Sequence, residues 1–295
     1  MTRVPVVVAL ALLLHAAPAA GLTVRDMLDR EVTLVVPPAR IVSLVPSVTE
    51  IVYALGAEAR LVGVTDFCDY PPAARRKPSV GGMINPSLEV LVALRPDLVV
   101  ATDEGTREET FRELRRLGIP TYLVHANRLV EVVDLVGRLG ELTGRREAVG
   151  PLVGHLESRV DAVRRRVQPY RRPRVLYVLW PDPLIVPGRT SMITELLELA
   201  GGESITAALG EAYPRFSLEA AVARAPEVII LADHAGRGST AGRAEPEAWQ
   251  RLRSVPAIKA GRLHSVDLSV LHRYGPRVAD GLETLARIIH PEAFR

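Results

Sequence analysis

The sequence predicts an α/β protein: two Rossmann-like lobes with mostly parallel sheets, joined by one long interdomain helix. Three observations carry that reading. Short apolar runs bounded by turn residues alternate with helical patterns along the chain, and such alternation gives parallel sheets with helices on both faces. Near the middle, one apolar stripe recurs at the step of a long helix. The segments on either side of that stripe repeat one another at a fixed offset.

In order, the strand candidates of the first half are residues 40–45, 61–65, 97–102 and 121–124, with helices predicted over 47–55 and 108–117. Val149, Leu152, Val153, Leu156, Val160, Val163 and Val167 then recur at three- and four-residue steps. They predict a helix from about residue 145 to 167 that is about 35 Å long, enough to cross the backs of two lobes. Pro151 predicts a kink or a start at that residue, and only Gly154 follows as a further breaker. The connector is therefore stiff rather than a floppy linker. Residues 174–179, 227–232 and 263–266 are the strand candidates of the second half. The expected boundaries are a leader over 1–20, a first lobe over 21–140, the connecting helix over 141–170 and a second lobe over 171–295.

Ser87-Leu88-Glu89, with Val92, Ala93, Pro96, Asp97, Leu98 and Val99, matches Ser217-Leu218-Glu219, with Val222, Ala223, Pro226, Glu227, Val228 and Ile229, each pair 130 residues apart. A second echo, Thr49-Glu50-Ile51-Val52 through Gly56 against Thr194-Glu195-Leu196-Leu197 through Gly201, runs at 145. Two related lobes on one helix create a cleft, and clefts between domains are favoured ligand sites.

Composition narrows the class. With 48% apolar and 24% charged residues the chain is globular, not disordered. Its 37 basic against 34 acidic residues leave +3, too slight for a nucleic-acid-binding face. The single cysteine, Cys68, excludes a disulfide framework or a Cys-rich metal cluster and is expected to be a half-buried apolar residue. Residues 1–20 carry Arg3, an apolar run over 4–14 and an A-x-A-like Ala17-Pro18-Ala19, the pattern of a cleavable signal peptide. That run is too short to span a bilayer, which needs about 20 residues. No cysteine sits at the cleavage site, so the expected product is free in the periplasm and not a lipoprotein.

No G-x-S-x-G elbow, P-loop, H-E-x-x-H or paired C-x-x-C occurs. The histidines are scattered; of these, His234, just past a strand end, is the one held open as a ligand. Residues 236–242 are glycine-rich with the wrong spacing for G-x-G-x-x-G and are expected to be a loop at the cleft edge. No resident metal or cofactor is expected.

The 13 aromatics are more informative. Phe67, Tyr70, Trp180, Tyr213 and Tyr274 fall in predicted loops, mostly just after strands, and ligands bind at the carboxyl ends of parallel strands. Prolines stiffen Tyr70, Trp180 and Tyr213, which offer flat faces with polar tips. Any one ring could equally plug a lobe core from above. Arg189, at the head of residues 190–199, suits a ligand carboxylate, amide or phosphate, and a plain surface arginine fits as well. Glu89 and Glu219 each open a helix, where the dipole favours a carboxylate. One exposed carboxylate per lobe also suits docking onto a partner with matching arginines.

The segments Arg40-Ile41-Val42-Ser43-Leu44-Val45-Pro46-Ser47 with Thr49-Glu50, Asp69-Tyr70-Pro71-Pro72-Ala73, Val80-Gly81-Gly82 with Asn85-Pro86-Ser87-Leu88-Glu89, residues 93–99 and residues 196–203 together resemble one family. It is that of the helix-linked periplasmic substrate-binding proteins of ABC importers for cobalamin, haem and ferric siderophores. The Asp-Tyr-Pro-Pro segment and the following Gly-Gly are most similar to the cobalamin-binding branch. The resemblance implies a binding protein, not an enzyme, expected to be a monomer. Its ligand would be cobalamin or a related corrinoid, held by shape and stacking without protein ligation of cobalt. It implies that Glu89 and Glu219 pair with arginines on the importer's membrane subunits, and that Phe67 and Tyr213 are cleft aromatics. Met83 and Thr102 stand where that branch can carry tryptophans. The expected ligand set is Phe67, Tyr70, Met83, Trp180, Arg189, Tyr213 and Tyr274. A haem or ferric-siderophore ligand is the alternative, with Tyr70 or His234 as axial ligand for haem. A chelatase-like enzyme is the rival of another class, and a two-lobed sensor is a third possibility.

Overall fold

The computed structural model describes residues 22–34, 37–233, 249 and 252–295. The 1–20 leader, His234 and the glycine-rich 236–242 segment lie outside the described residues. A hairpin of β1 (Leu22–Arg25) and β2 (Glu31–Leu34) precedes the first lobe. Asp26 closes it by accepting from the Leu28 and Arg30 N–H groups at 2.9 and 3.0 Å. Sequence reading missed this pair because its strands alternate apolar and polar residues, so neither is a continuous apolar run.

The first lobe runs β3 (Ile41–Ser43), α1 (Pro46–Ala54), β4 (Leu61–Val64), α2 (Leu88–Ala93), β5 (Leu98–Thr102), α3 (Glu108–Arg116), β6 (Thr121–Val124) and α4 (Leu129–Leu142). Its sheet has the order β4-β3-β5-β6 and is parallel throughout. Ile41, Leu98 and Val100 pack on Ile51, Leu135 and Leu139 on one face, while Val42, Leu44 and Val99 meet Leu91 and Leu114 on the other. Burial on both faces is what a parallel sheet requires.

α5 (Arg146–Val167) is the connector. It begins ahead of Pro151 rather than at it, and the proline, sixth in the helix, removes one ladder bond. The stripe divides as a cross-lobe strut should. Val149, Leu152 and Val153 pack on the first lobe's core, and Leu156, Val160, Val163 and Val167 are buried in the second's.

The second lobe runs β7 (Arg174–Val178), a two-residue hairpin β8 (Trp180–Pro181) and β9 (Leu184–Ile185), α6 (Met192–Leu199), β10 (Glu203–Ser204), α7 (Leu218–Ala223), β11 (Val228–Asp233), β12 (Leu263–Asp267) and a last long helix, Val278–Ile289. Its parallel sheet has the order β10-β7-β11-β12, matching the first lobe strand for strand.

The 130-residue repeat is a repeat of structure. Ser87 and Ser217 both cap their helices, accepting from Val90 N–H at 3.3 Å and Ala220 N–H at 3.0 Å. Arg95 and Ala225 both take positive φ, 45° and 46°. Asp97 accepts from the N–H groups of Ala39 and Arg40, and Glu227 from that of Arg174, so each carboxylate ties down the entry to its lobe's central strand.

Glu227 also takes Arg171 in a two-pronged contact at 3.0 and 2.7 Å, which lowers its carboxyl from 4.5 to about 2. A carboxylate depressed on folding stabilises above its unfolded pKa, and the gain is lost as pH falls through the folded value. Glu227→Gln is therefore expected to lower the melting temperature at pH 7, with the gap from wild type closing between about pH 4.5 and 2. A gap that stays constant across that acid range, measured by thermal denaturation, would contradict the assignment.

Candidate ligand-binding cleft

Parallel strands gather their carboxyl ends on one edge of each lobe, and the loops leaving those ends meet between the lobes. There they enclose a cavity of ≈ 210 Å³. Phe67, Met83 and Glu104 stand on the first lobe's side, and His272, Arg273 and Tyr274, just past β12, on the second's.

The second lobe's wall is a hydrogen-bonded ring cluster. Tyr213 Oη and Tyr274 Oη are 2.8 Å apart, and Tyr274 Oη lies 3.4 Å from His272 Nδ1. The other ring nitrogen of His272 is 2.9 Å from the hydroxyl of Tyr177, a fully buried residue of β7. Burial raises the Tyr213 hydroxyl and pushes those of Tyr177 and Tyr274 well above the usual range. All three stay neutral at physiological pH and present polar tips without charge.

Beside the rings, ionic groups cross the seam. Arg273, with 7% of its side chain exposed, holds both oxygens of Asp69 and lies 3.9 Å from Glu50. Its Nε–H is buried with no acceptor, which costs free energy. Arg277 grips Glu50 at 2.9 and 2.6 Å and sits 4.1 Å over the ring of Tyr70. Burial raises the Glu50 carboxyl while the guanidiniums hold it back; the Arg273 hydrogen bond lowers that of Asp69.

Of the residues picked out from sequence, Phe67, Met83 and Tyr274 line this cavity, and Tyr213 backs Tyr274. Thr102, read as a departure from the tryptophan pattern, lines it too. Tyr70 lies at the seam under Arg277, 44% exposed, and is not a lining residue. Trp180 is on the β8–β9 hairpin, donating to the Asp182 carbonyl at 2.9 Å, away from the cavity lining. Arg189 belongs to a separate polar hollow of ≈ 610 Å³ with Arg128, Arg164 and Arg172, and donates to the Ala208 carbonyl. That hollow is roomier, yet its arginines are already engaged and it holds none of the expected rings. Glu89 and Glu219 are exposed in the first turns of α2 and α7. Cys68 is fully rather than half buried, its thiol between Thr49 and Thr65 at 3.2 Å each. Among the described residues no three His, Cys, Asp or Glu side chains converge on a metal-sized point, and no helix is long and apolar enough to cross a membrane. Sequence reading missed Arg273 and Arg277; the echo pairing Glu50 with Glu195 was the one available pointer.

A family model described as periplasmic binding protein matches residues 41–267. The chain belongs to the periplasmic binding protein family. Within this family of binding proteins, an uncharacterized ABC transporter substrate-binding lipoprotein of Bacillus subtilis is 29% identical, covering 92% of this chain and 87% of its own length. A vitamin B12-binding protein of Vibrio cholerae is 30% identical, over 84% of this chain and 87% of its own. The crystal structure of the periplasmic vitamin B12-binding protein of that species superposes with a TM-score of 0.73 at 28% identity, covering 88% of this chain and 99% of that one. The periplasmic heme-binding protein of Roseiflexus sp. RS-1 superposes at 0.75 with 25% identity, over 86% of this chain and 98% of that one. The expectation of a binding protein rather than an enzyme stands on this membership. The expectation of a protein free in the periplasm and not a lipoprotein is corrected: the Bacillus subtilis relative is a lipoprotein, and an acyl anchor holds such a receptor at the membrane face.

Proposed function

We propose that this chain captures cobalamin or a related corrinoid in the interlobe cleft and hands it to the membrane subunits of an ABC importer through Glu89 and Glu219. The observation that carries this reading is the cavity at the facing strand ends, walled by Phe67, Met83, Arg273 and Tyr274. Kinship with vitamin B12-binding proteins at 30% identity supports it. So does charge. Arg273 and Arg277 face Glu50 and Asp69, two against two, with Arg75 a more distant, largely solvated neighbour at 3.9 Å. A donor in so balanced a patch suits a neutral amide oxygen, which corrinoids carry around the ring edge, better than the carboxylates of haem. Haem or a ferric siderophore is the second reading, favoured by the superposition on a heme-binding protein.

A thermal-shift panel of cyanocobalamin, cobinamide, haem and ferric siderophores decides between them. A true ligand at about a hundred times its Kd adds about 2.7 kcal/mol of stability. The expected result is a shift with both corrinoids. Shifts confined to haem or to ferric chelates would replace this reading with the second. The ≈ 210 Å³ cavity is below the roughly 300–1,000 Å³ of small-molecule pockets, so a macrocycle needs the lobes to part.

A further inference from the structure

The second echo, at 145 residues, places two glutamates that each reach into the opposite lobe. Glu50, on α1, is held by Arg277 at the N-terminus of the last long helix. Glu195, on α6, accepts from Arg128 at 2.9 and 3.3 Å and from the Leu129 N–H at 3.0 Å, at the N-terminus of α4. The pairs are equivalent by topology. α1 and α6 follow the matching strands β3 and β7, while α4 and the last long helix lie beyond the matching edge strands β6 and β12. The crossings also flank the cleft, whose lining includes Ser47 and Arg273 near the first and Ala126 near the second.

Their surroundings differ. At the first crossing the side chains of Glu50, Arg273 and Arg277 are 1%, 7% and 19% exposed. Gly275 there packs against Ser47 so closely that a Cβ would stand 3.3 Å from the Ser47 carbonyl oxygen. At the second, Glu195 is 21% and Arg128 54% exposed. Separating a buried, multiply hydrogen-bonded charge cluster strands charges away from water, whereas a solvated pair exchanges its partner for water at little cost.

We infer that the duplicated pairs are a pivot and a latch: the lobes rock about the Glu50–Arg277–Arg273 junction, and the Arg128–Glu195 contact parts to widen the cleft. The inference goes beyond the ligand reading and does not depend on it. The connecting helix, packed into both cores and joined by Arg159 to Asp280 and Glu283 of the last long helix, keeps the motion a rocking rather than a wide swing.

Spin labels test this on the full chain without ligand, at Glu109→Cys in one lobe and Ala223→Cys in the other, both exposed positions. The native Cys68 is buried. In double electron–electron resonance, Arg128→Ala is expected to move the interlobe distances to longer values, and Arg128→Lys, which keeps the cation opposite Glu195, to leave them close to those of the native chain. Arg277→Lys, the conservative change at the pivot, is expected to lower the melting temperature without lengthening the distances. Distances unmoved by Arg128→Ala, or lengthened as much by Arg128→Lys, would remove the latch. Distances lengthened as much by Arg277→Lys as by Arg128→Ala would remove the division into pivot and latch. Because no ligand is present, neither failure can be confused with a failure of the corrinoid proposal.

Discussion

Reversing the charge at both Glu89 and Glu219, each to arginine, is expected to cut importer-dependent corrinoid uptake by about 100-fold, equivalent to about 2.7 kcal/mol, while leaving ligand affinity within about twofold. The two carboxylates are equivalent in cap, helix position and exposure. Each follows a serine cap, lies in the first turn of a six-residue helix and is exposed. α2 and α7 run back against the strands they precede, which puts both glutamates at the carboxyl-end side of their sheets, where the cleft lies. Exposed apolar residues stand beside each in the chain, Val90 and Val92 at one and Leu218 at the other. A partner bearing one arginine per lobe would then meet like charge twice, and like-charge juxtaposition costs several kcal/mol. Neither residue lines the cavity, so binding should be spared. Uptake by live cells and Kd of the purified variant separate the two effects. Undiminished uptake would dispose of the docking role; a matching loss of affinity would mean the helices shape the cleft instead.

The same duplication explains how much could be read in advance. The seven parallel-sheet strands of three or more residues were all picked out in advance, most of them as apolar runs, because burial on both faces leaves little room for polar residues. The 130-residue echo anticipated equivalent helix starts, and the structure adds the serine caps, the positive φ of Arg95 and Ala225, and the strand-entry hydrogen bonds of Asp97 and Glu227. β8, β9 and β10 have two residues each and leave no periodic signal. Within the cleft, Phe67 and Tyr274 were legible because ring-bearing loops after parallel strands face the ligand edge. Trp180 obeyed the same pattern yet sits in a hairpin, since a loop of that length can fold back on itself. The ionic seam was illegible for another reason. Arg273 and Asp69 are 204 positions apart, and Arg277 and Glu50 are 227 apart. Nothing in one sequence says which arginine meets which carboxylate.

Arg273→Met is expected to be the most damaging single substitution in the cleft, costing about 3 kcal/mol of unfolding free energy at pH 7. The cost comes from what the arginine leaves behind. Glu50 keeps Arg277, but Asp69 loses both hydrogen bonds to Arg273 and keeps Arg75, at 3.9 Å, as its neighbouring cation. Methionine fills much of the volume, so packing contributes little to the change. The pH dependence tests the cause. In the native protein Arg273 holds the Asp69 carboxyl below its ordinary 3.8, so its stabilisation is present above that value and is lost as pH falls through the lowered folded value. Removing the arginine also lets burial push Glu50 further up, so in mild acid it takes a proton and the variant recovers part of its deficit. The gap between wild type and variant should therefore be widest near neutrality and should close as pH falls below about 4. Urea unfolding at a series of pH values measures it. A deficit under about 1 kcal/mol, or one that does not change with pH, would mean that Arg273 packs at the seam without holding the two carboxylates in place.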